Sequence, residues 1–352
     1  MQIRRLLSCC VSAVLFALAL APSAVGASND PDFPKQWGLT KLQAEQAWAT
    51  SSGAGATIAI VDTGVDLGHP DLATKVLSFP DADMVEPNGT CKGSAKKGTR
   101  TCTQDGAQDK NGHGTHVAGI AGAATGNGIG VAGTAPDASL LPVRVLDAEG
   151  SGTTDQVAAG IRYAADKGAN VINLSLGFLS GLDQVIKVTG GLGPVYDAID
   201  YAYAKGAVVV IAAGNDSFSL CAEPSAHPKA LCVGATDRND VRTFYSNSDA
   251  TLSSKFLVAP GGEAITCAGD IYSTYLRGLK TYCGPDGYEA LAGTSMATPF
   301  VSGVAALLSA EGLGNDAIVD CIIKTTDDLG LPGRDSVYGY GRVNAAGAVS
   351  EC

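Results

Sequence analysis

Short apolar runs recur along this chain, each separated from the next by a stretch with helical spacing. Thr57–Val61, Leu140–Val145, Asn170–Leu174 and Ala207–Ala213 are four such runs. They are too short for helices and rich in Val and Ile. They read as strands buried on both faces, the pattern of a parallel sheet. His113–Ala124, Thr153–Lys167 and Pro194–Lys205 carry the helical patterns, and the last two end in Lys-Gly, a helix C-cap pair. Strands alternating with helices predict an α/β fold: a doubly wound, mostly parallel central sheet flanked by helices, in a single domain. Sheets of this kind present their chemistry at the carboxyl ends of strands. Asp62 and Asn215 stand just past two such ends.

Two segments fall outside that alternation. Residues 75–109 are polar, rich in Gly, Lys and Asp, and hold Cys91 and Cys102, which reads as a surface loop insertion tied by a disulfide. Residues 1–27 read as a signal peptide: Arg4 and Arg5, an apolar run Leu6–Leu20, then the small residues Val25-Gly26-Ala27. The run is shorter than the roughly 20 residues that span a bilayer, so export rather than anchoring is expected. The mature chain, residues 28–352, is then expected to be secreted, extracellular, monomeric and free of the membrane.

Removal of the leader takes Cys9 and Cys10 with it and leaves Cys91, Cys102, Cys221, Cys232, Cys267, Cys283, Cys321 and Cys352. An even count in an exported chain reads as disulfides, and sequential pairing closes the shortest loops. No C-x-x-C occurs, which argues against zinc or redox chemistry. The whole chain has 24 basic and 35 acidic residues, a formal charge of −11. That acidity argues against nucleic acid as a partner.

Three segments supply an Asp, a His and a Ser in chain order: VDTGVD at 61–66, NGHGTHVAG at 111–119 and GTSMATP at 293–299. A serine hydroxyl is a poor nucleophile at neutral pH. It needs an imidazole to take its proton and a carboxylate to hold that imidazole. Alone, Asp62 is a turn residue, His113 a buried polar group and Ser295 a helix cap; together and in this order they match a known triad order. Gly293-Thr294-Ser295-Met296-Ala297 also comes near the G-x-S-x-G elbow of lipases. That fold places its His after the Ser, and His69, His113, His116 and His227 all precede Ser295.

With these motifs, and with SLLPVRVLDAEGSG at 139–152, VINLSLG at 171–177, VVVIAAGN at 208–215 and YGRVNA at 340–345, the chain resembles the subtilisin-like serine peptidases, in particular their thermitase-like branch. The resemblance runs from about Asn29 to Asn344. It implies that Asp62 orients the base, His113 is general base and acid, Ser295 is the nucleophile, and His116 is structural. It implies that Asn215 and the Ser295 backbone N–H stabilise the oxyanion. It places Gly150, Ser151, Gly152 and Ser175, Leu176, Gly177 along the bound peptide, with Ala212, Ala213 and Gly214 walling a pocket suited to a large apolar side chain. Cys221, Ala222 and Glu223 depart from the family pattern at the pocket floor, and Glu223 raises the alternative of a basic side chain there. A structural calcium site is implied at Asp30, Asp71 and Asn127, with the carbonyls of Ile129 and Val131.

Two departures stand out. Ala27 is followed almost at once by Asn29-Asp30-Pro31, which leaves no room for a folding-assisting propeptide and makes an external proteinaceous inhibitor conceivable. Phe300 stands where the family commonly has His, with packing consequences expected. The resemblance implies a polypeptide substrate. Against broad endopeptidase activity stand a narrow-specificity maturation protease and a non-catalytic binding protein on the same fold.

Overall fold

The computed structural model describes residues 28–87, 105–177 and 191–352, with the backbone of three short strands, Thr90–Lys92, Thr101–Thr103 and Val185–Lys187. The expected signal peptide, the centre of the 75–109 insertion and the side chains of Cys91 and Cys102 lie outside the described residues. The backbone pairs Cys91 opposite Cys102 across an antiparallel ribbon.

Six parallel strands form the central sheet. They are β1 (Thr57–Asp62), β2 (Ser139–Arg144), β3 (Val171–Leu174), β4 (Val208–Ala212), β5 (Ala230–Thr236) and β6 (Lys255–Pro260). Their order is β6-β5-β4-β3-β1-β2, and every neighbouring pair is parallel. The first four match the apolar runs read from the sequence to within a residue at each end; β5 and β6 are additional. The order reverses between β1 and β3, which makes that junction the natural place for a ligand crevice.

Period two along each strand sends alternate side chains to opposite faces. Ile58, Ile60, Leu140 and Val210 join one buried cluster, while Ala59, Val61, Leu141 and Ile211 join the other. On the first face lie α1 (His113–Gly122) and, further along the chain, Thr294–Ala310; on the second lie α2 (Thr154–Asp166) and α3 (Gly193–Ala204). We call the Thr294–Ala310 helix α4. Strands apolar on both faces are thus explained by helices on both faces. The sheet edges are covered by single parallel bridges, Val76 and Asp83 on β2 and Arg342 on β6.

Local chemistry fixes the ends of the helices. Thr153 and Gln156 form a reciprocal capping box at the start of α2. At the two Lys-Gly sites the glycines take φ +78° and +92°. There Ala169 N–H donates to Ala164 O and Ala207 N–H to Ala202 O, both at 3.1 Å, the wrap that satisfies terminal carbonyls. The described cysteines pair sequentially, as expected: Cys221–Cys232, Cys267–Cys283 and Cys321–Cys352.

Helix α2 rests on the sheet through Gly160, where a Cβ would stand 2.4 Å from Val145 Cγ1 and 3.2 Å from Val61 Cγ1. In an exposed helix Gly→Ala stabilises by about 1 kcal/mol. Here Gly160→Ala is expected to reverse that sign and cost about 1–3 kcal/mol through overpacking. The urea midpoint of the variant against the parent protein measures it.

Candidate active site

Strands β1, β3 and β4 are adjacent, so the segments leaving their carboxyl ends converge. Asp62 ends β1 and is fully buried. Its Oδ1 accepts from the Thr63 N–H at 2.7 Å and lies 2.8 Å from Nδ1 of His113. His113 is the first residue of α1 and is buried, with 9% of its side chain exposed.

His116, one turn on, is fully buried, and its Nε2 meets the Glu289 carbonyl at 3.2 Å instead of a carboxylate. Burial is the main cause that pushes its pKa down to about 3, with the neighbouring His113 adding to it. Of the two histidines, the geometry puts only His113 on Asp62.

The junction between the end of β1 and the first turn of α1 is organised by Asp109, an acid in a polar loop with no motif around it. Its buried carboxylate accepts the Thr63 hydroxyl (2.9 Å), the N–H groups of Asn111 and Gly112 (2.9 and 3.0 Å), and both the N–H and hydroxyl of Thr115 (3.1 and 2.5 Å). The Thr63 hydroxyl in turn accepts from Gly114 N–H at 2.9 Å. One carboxylate thereby fastens the end of β1 to the first turn of α1, where a negative charge also suits the helix dipole.

Ser295 is the second residue of α4, so its N–H has no intrahelical acceptor. Its carbonyl would ordinarily bond the N–H four residues on, but that residue is Pro299, which has none. The Ser175 hydroxyl donates to this carbonyl instead, at 2.8 Å, while the Ser295 hydroxyl donates to the Ser175 carbonyl at 3.3 Å. Asn173 and Ser302 continue the network: Asn173 donates to the Ser175 hydroxyl at 3.0 Å and accepts from Ser302 at 2.8 Å. Proline inside the helix thus frees the carbonyl by which the pocket wall grips the Ser295 backbone.

Asn215 follows β4. Its Oδ1 accepts both the N–H (2.9 Å) and the hydroxyl (2.8 Å) of Thr294, which turns Nδ2 the other way. A Cβ on Gly293 would stand 3.3 Å from Nδ2 and 3.6 Å from the Ser295 nitrogen, so both donors border the space this glycine keeps clear. Thr294 and Gly293 therefore shape, together with Asn215, the space where the oxyanion was expected.

The expected substrate walls are built into the fold. Ser151 and Gly152 open a short strand, Ser151–Thr153, paired in parallel with Val185–Lys187. Gly150 takes φ +76°, and a Cβ on Gly152 would strike the Val145 carbonyl at 2.4 Å. Ser175, Leu176 and Gly177 are buried, and Leu176 belongs to the core, so this segment offers the site its backbone more than its side chains. Ala212, Ala213 and Gly214 are buried, and Ala213 O accepts from Ala222 N–H at 2.8 Å, which joins wall to floor. The Glu223 carboxylate accepts the Tyr196 hydroxyl. Phe300 is buried with its ring over Gly38, a packing role as expected.

The expected calcium residues gather around one glycine-rich loop. Asp30 accepts the N–H groups of Gly126, Asn127 and Gly128. Asp71, fully buried, accepts from Asn127 Nδ2 (3.0 Å), Val131 N–H (3.0 Å) and the Tyr288 hydroxyl (2.9 Å). Burial pushes the Asp71 carboxyl pKa up. No Lys or Arg pairs with either acid among the described residues. A second acidic group, Asp83, Glu86 and Asp105, is engaged by Arg144 and Lys110.

The model of the subtilase family matches residues 53–341. The chain belongs to the subtilase family. Thermitase from Thermoactinomyces vulgaris is 43% identical over 91% of this chain and 98% of its own length. Subtilisin Savinase from Lederbergia lenta is 36% identical over 89% and 97%. A solved protease from Pseudoalteromonas arctica superposes with a TM-score of 0.74, at 32% identity, over 93% of this chain and 99% of that one. This subtilase is accordingly a serine endopeptidase.

His116 ties the subtilase's stability to pH. Its folded pKa lies below the unfolded value of about 6.5, so its contribution is complete above that pH and is lost as pH falls toward about 3. Between pH 7 and pH 4 the loss from this ring alone is expected to be about 3 kcal/mol. Urea midpoints at both pH values, with a His116→Gln variant showing a shallower fall, measure it.

Proposed function

We propose that this subtilase is a secreted endopeptidase of broad specificity, cutting after large apolar residues through an acyl-enzyme on Ser295. The observation that carries the reading is the pairing of His113 Nδ1 with the buried Asp62 carboxylate. That bond fixes the tautomer whose Nε2 carries the lone pair that takes the proton. In attack the Ser295 Oγ bonds to the scissile carbonyl carbon and its proton passes to His113. The carbonyl π pair moves onto oxygen, where Asn215 Nδ2 and the Ser295 N–H donate. Collapse expels the amine, which takes the proton from His113. Water then repeats the sequence to release the acid.

The pocket walls Ser175–Gly177 and Ala212–Gly214 are small and uncharged, which supports an apolar preference. Glu223 is held by Tyr196, which weakens the case for a basic one. The peptide would lie as an added strand along Gly150–Gly152 and Ser175–Gly177. The leader at 1–27 supports export.

We further propose a structural calcium ion at Asp30, Asp71 and Asn127, with the carbonyls of Ile129 and Val131. Two buried carboxylates that no Lys or Arg pairs among the described residues, gathered on one loop whose carbonyls are further oxygen donors, support a hard cation there. Turning over the Asn127 amide would present its oxygen beside Asp71.

Ser295→Ala is expected to fold as the parent does and to lose turnover on the order of a millionfold, the scale seen for this replacement in a subtilisin. Labelling by a fluorophosphonate should vanish with it. A variant that still turns over casein, or a parent that takes no label, would overturn the assignment. Chelation is expected to lower the melting temperature by roughly 5 °C or more, and added calcium to restore it. Calorimetry on protein of verified zero metal content decides that claim.

A further inference from the structure

An open groove runs between the N-terminal segment and the antiparallel hairpin of β7 (Ile271–Thr274) and β8 (Tyr288–Leu291), and none of the residues assigned to the cleft lines it. It consists of two adjoining recesses of about 430 and 290 Å³ that share Pro34, Trp37 and Arg238. Its walls are fixed. The Trp37 indole N–H donates to the Asp270 carbonyl at 3.1 Å, and the Cys267–Cys283 disulfide closes one side.

The charge here is opposite to that of the chain. Net charge is −11, yet every charged side chain lining the two recesses is cationic: Lys35, Lys41 and Arg238. Lys35 lies over the Tyr272 ring and pairs with Asp32 at 2.8 Å. Lys41 pairs with Asp240 at 2.8 Å, and Asp240 also holds Arg342. Those acids are spent on their partners. Arg238, 5.9 Å from the Trp37 ring, has no ion pair or hydrogen bond among the described residues and is the excess charge of the groove.

We propose that this groove binds an acidic segment of polypeptide carrying an apolar side chain. The guanidinium of Arg238 can take a carboxylate in two parallel hydrogen bonds while the indole shields one side of the pair from water. The apolar side chain would lie on Pro34, Trp37 and the disulfide. Two apolar-walled recesses that share Arg238 suit an extended segment presenting a carboxylate beside an apolar side chain better than one small anion. The proposal goes beyond the catalytic reading and does not depend on it.

The test uses the full chain carrying Ser295→Ala, so that the probe is not consumed. The probes are a hexapeptide alternating Asp or Glu with Phe and Leu, and its counterpart with Lys in place of each acid. The chain has only two tryptophans, Trp37 and Trp48, so intrinsic fluorescence reads the groove and Trp37→Phe should abolish the change. The acidic peptide is expected to bind at least tenfold tighter than the basic one. Binding should weaken about tenfold in Arg238→Glu and weaken with added salt. Equal binding of both peptides, binding unaltered by Arg238→Glu, no acidic-peptide binding, or binding of indole-acetate in place of the peptide would each overturn it. Arg238→Glu with Ser295 intact should cleave a short chromogenic amide as the parent does. A failure of catalysis is thus read separately.

Discussion

A carboxylate with no access to water is costly, and Asp62 is one. Its Oδ1 receives the Thr63 N–H and faces His113, while Oδ2 has no hydrogen-bond partner among the described residues. The folded protein thus retains a carboxylate that is incompletely solvated by its own dipoles. A positive charge beside it is favoured, and among the described residues the side chain that meets it is the His113 ring. In the proposed mechanism, the electrostatic cost of burying Asp62 would favour the His113 ring while it carries the proton. Everything that fixes the distance between them, Asp109 above all, belongs to the same device.

The fold supplies that distance through sheet order. Because β1, β3 and β4 are neighbours, segments separated by up to 150 positions along the chain reach the same rim within a few strand spacings. The long helix α4 then crosses beneath them and offers Ser295 from its first turn. Hydrogen bonds from Ser302 through Asn173 and Ser175 to the Ser295 carbonyl tie the middle of that helix to the end of β3. A shift of α4 against the sheet would therefore break buried bonds before it displaced Ser295, and each such bond left unmade costs about 1–3 kcal/mol. Stability and registration of the site are enforced by the same contacts.

How much of this was legible in the sequence depended on whether the cause was local. Runs such as Thr57–Val61 announce strands because both faces are apolar, and Lys-Gly at 167–168 and 205–206 announces helix ends because glycine alone enters that backbone region at no steric cost. The motifs around Asp62, His113 and Ser295 were visible for the same reason. Strands β5 and β6 were not. Ala230–Thr236 carries Cys232 and Gly234, and Lys255–Pro260 begins with a lysine and ends in a proline, so neither reads as an apolar strand in isolation. Their strand state is conferred by pairing with β4 and with each other. Asp109 and Thr294 were missed because an Asp in a polar loop and a Thr at a helix start look ordinary. Their meaning lies in partners 46 and 79 residues away.

Pro299 shows how a local rule and a tertiary need can be reconciled. Inside a helix, proline removes one bond and ordinarily costs about 3 kcal/mol. Here the acceptor it abandons is the Ser295 carbonyl, and the abandoned acceptor is taken up by Ser175 from the pocket wall. The bond is not lost but redirected, from along the helix to across the site. A regular helix would have satisfied that carbonyl internally and left the wall with nothing to hold. The apparent defect in α4 is what couples the segment that would grip substrate to the residue that would attack it.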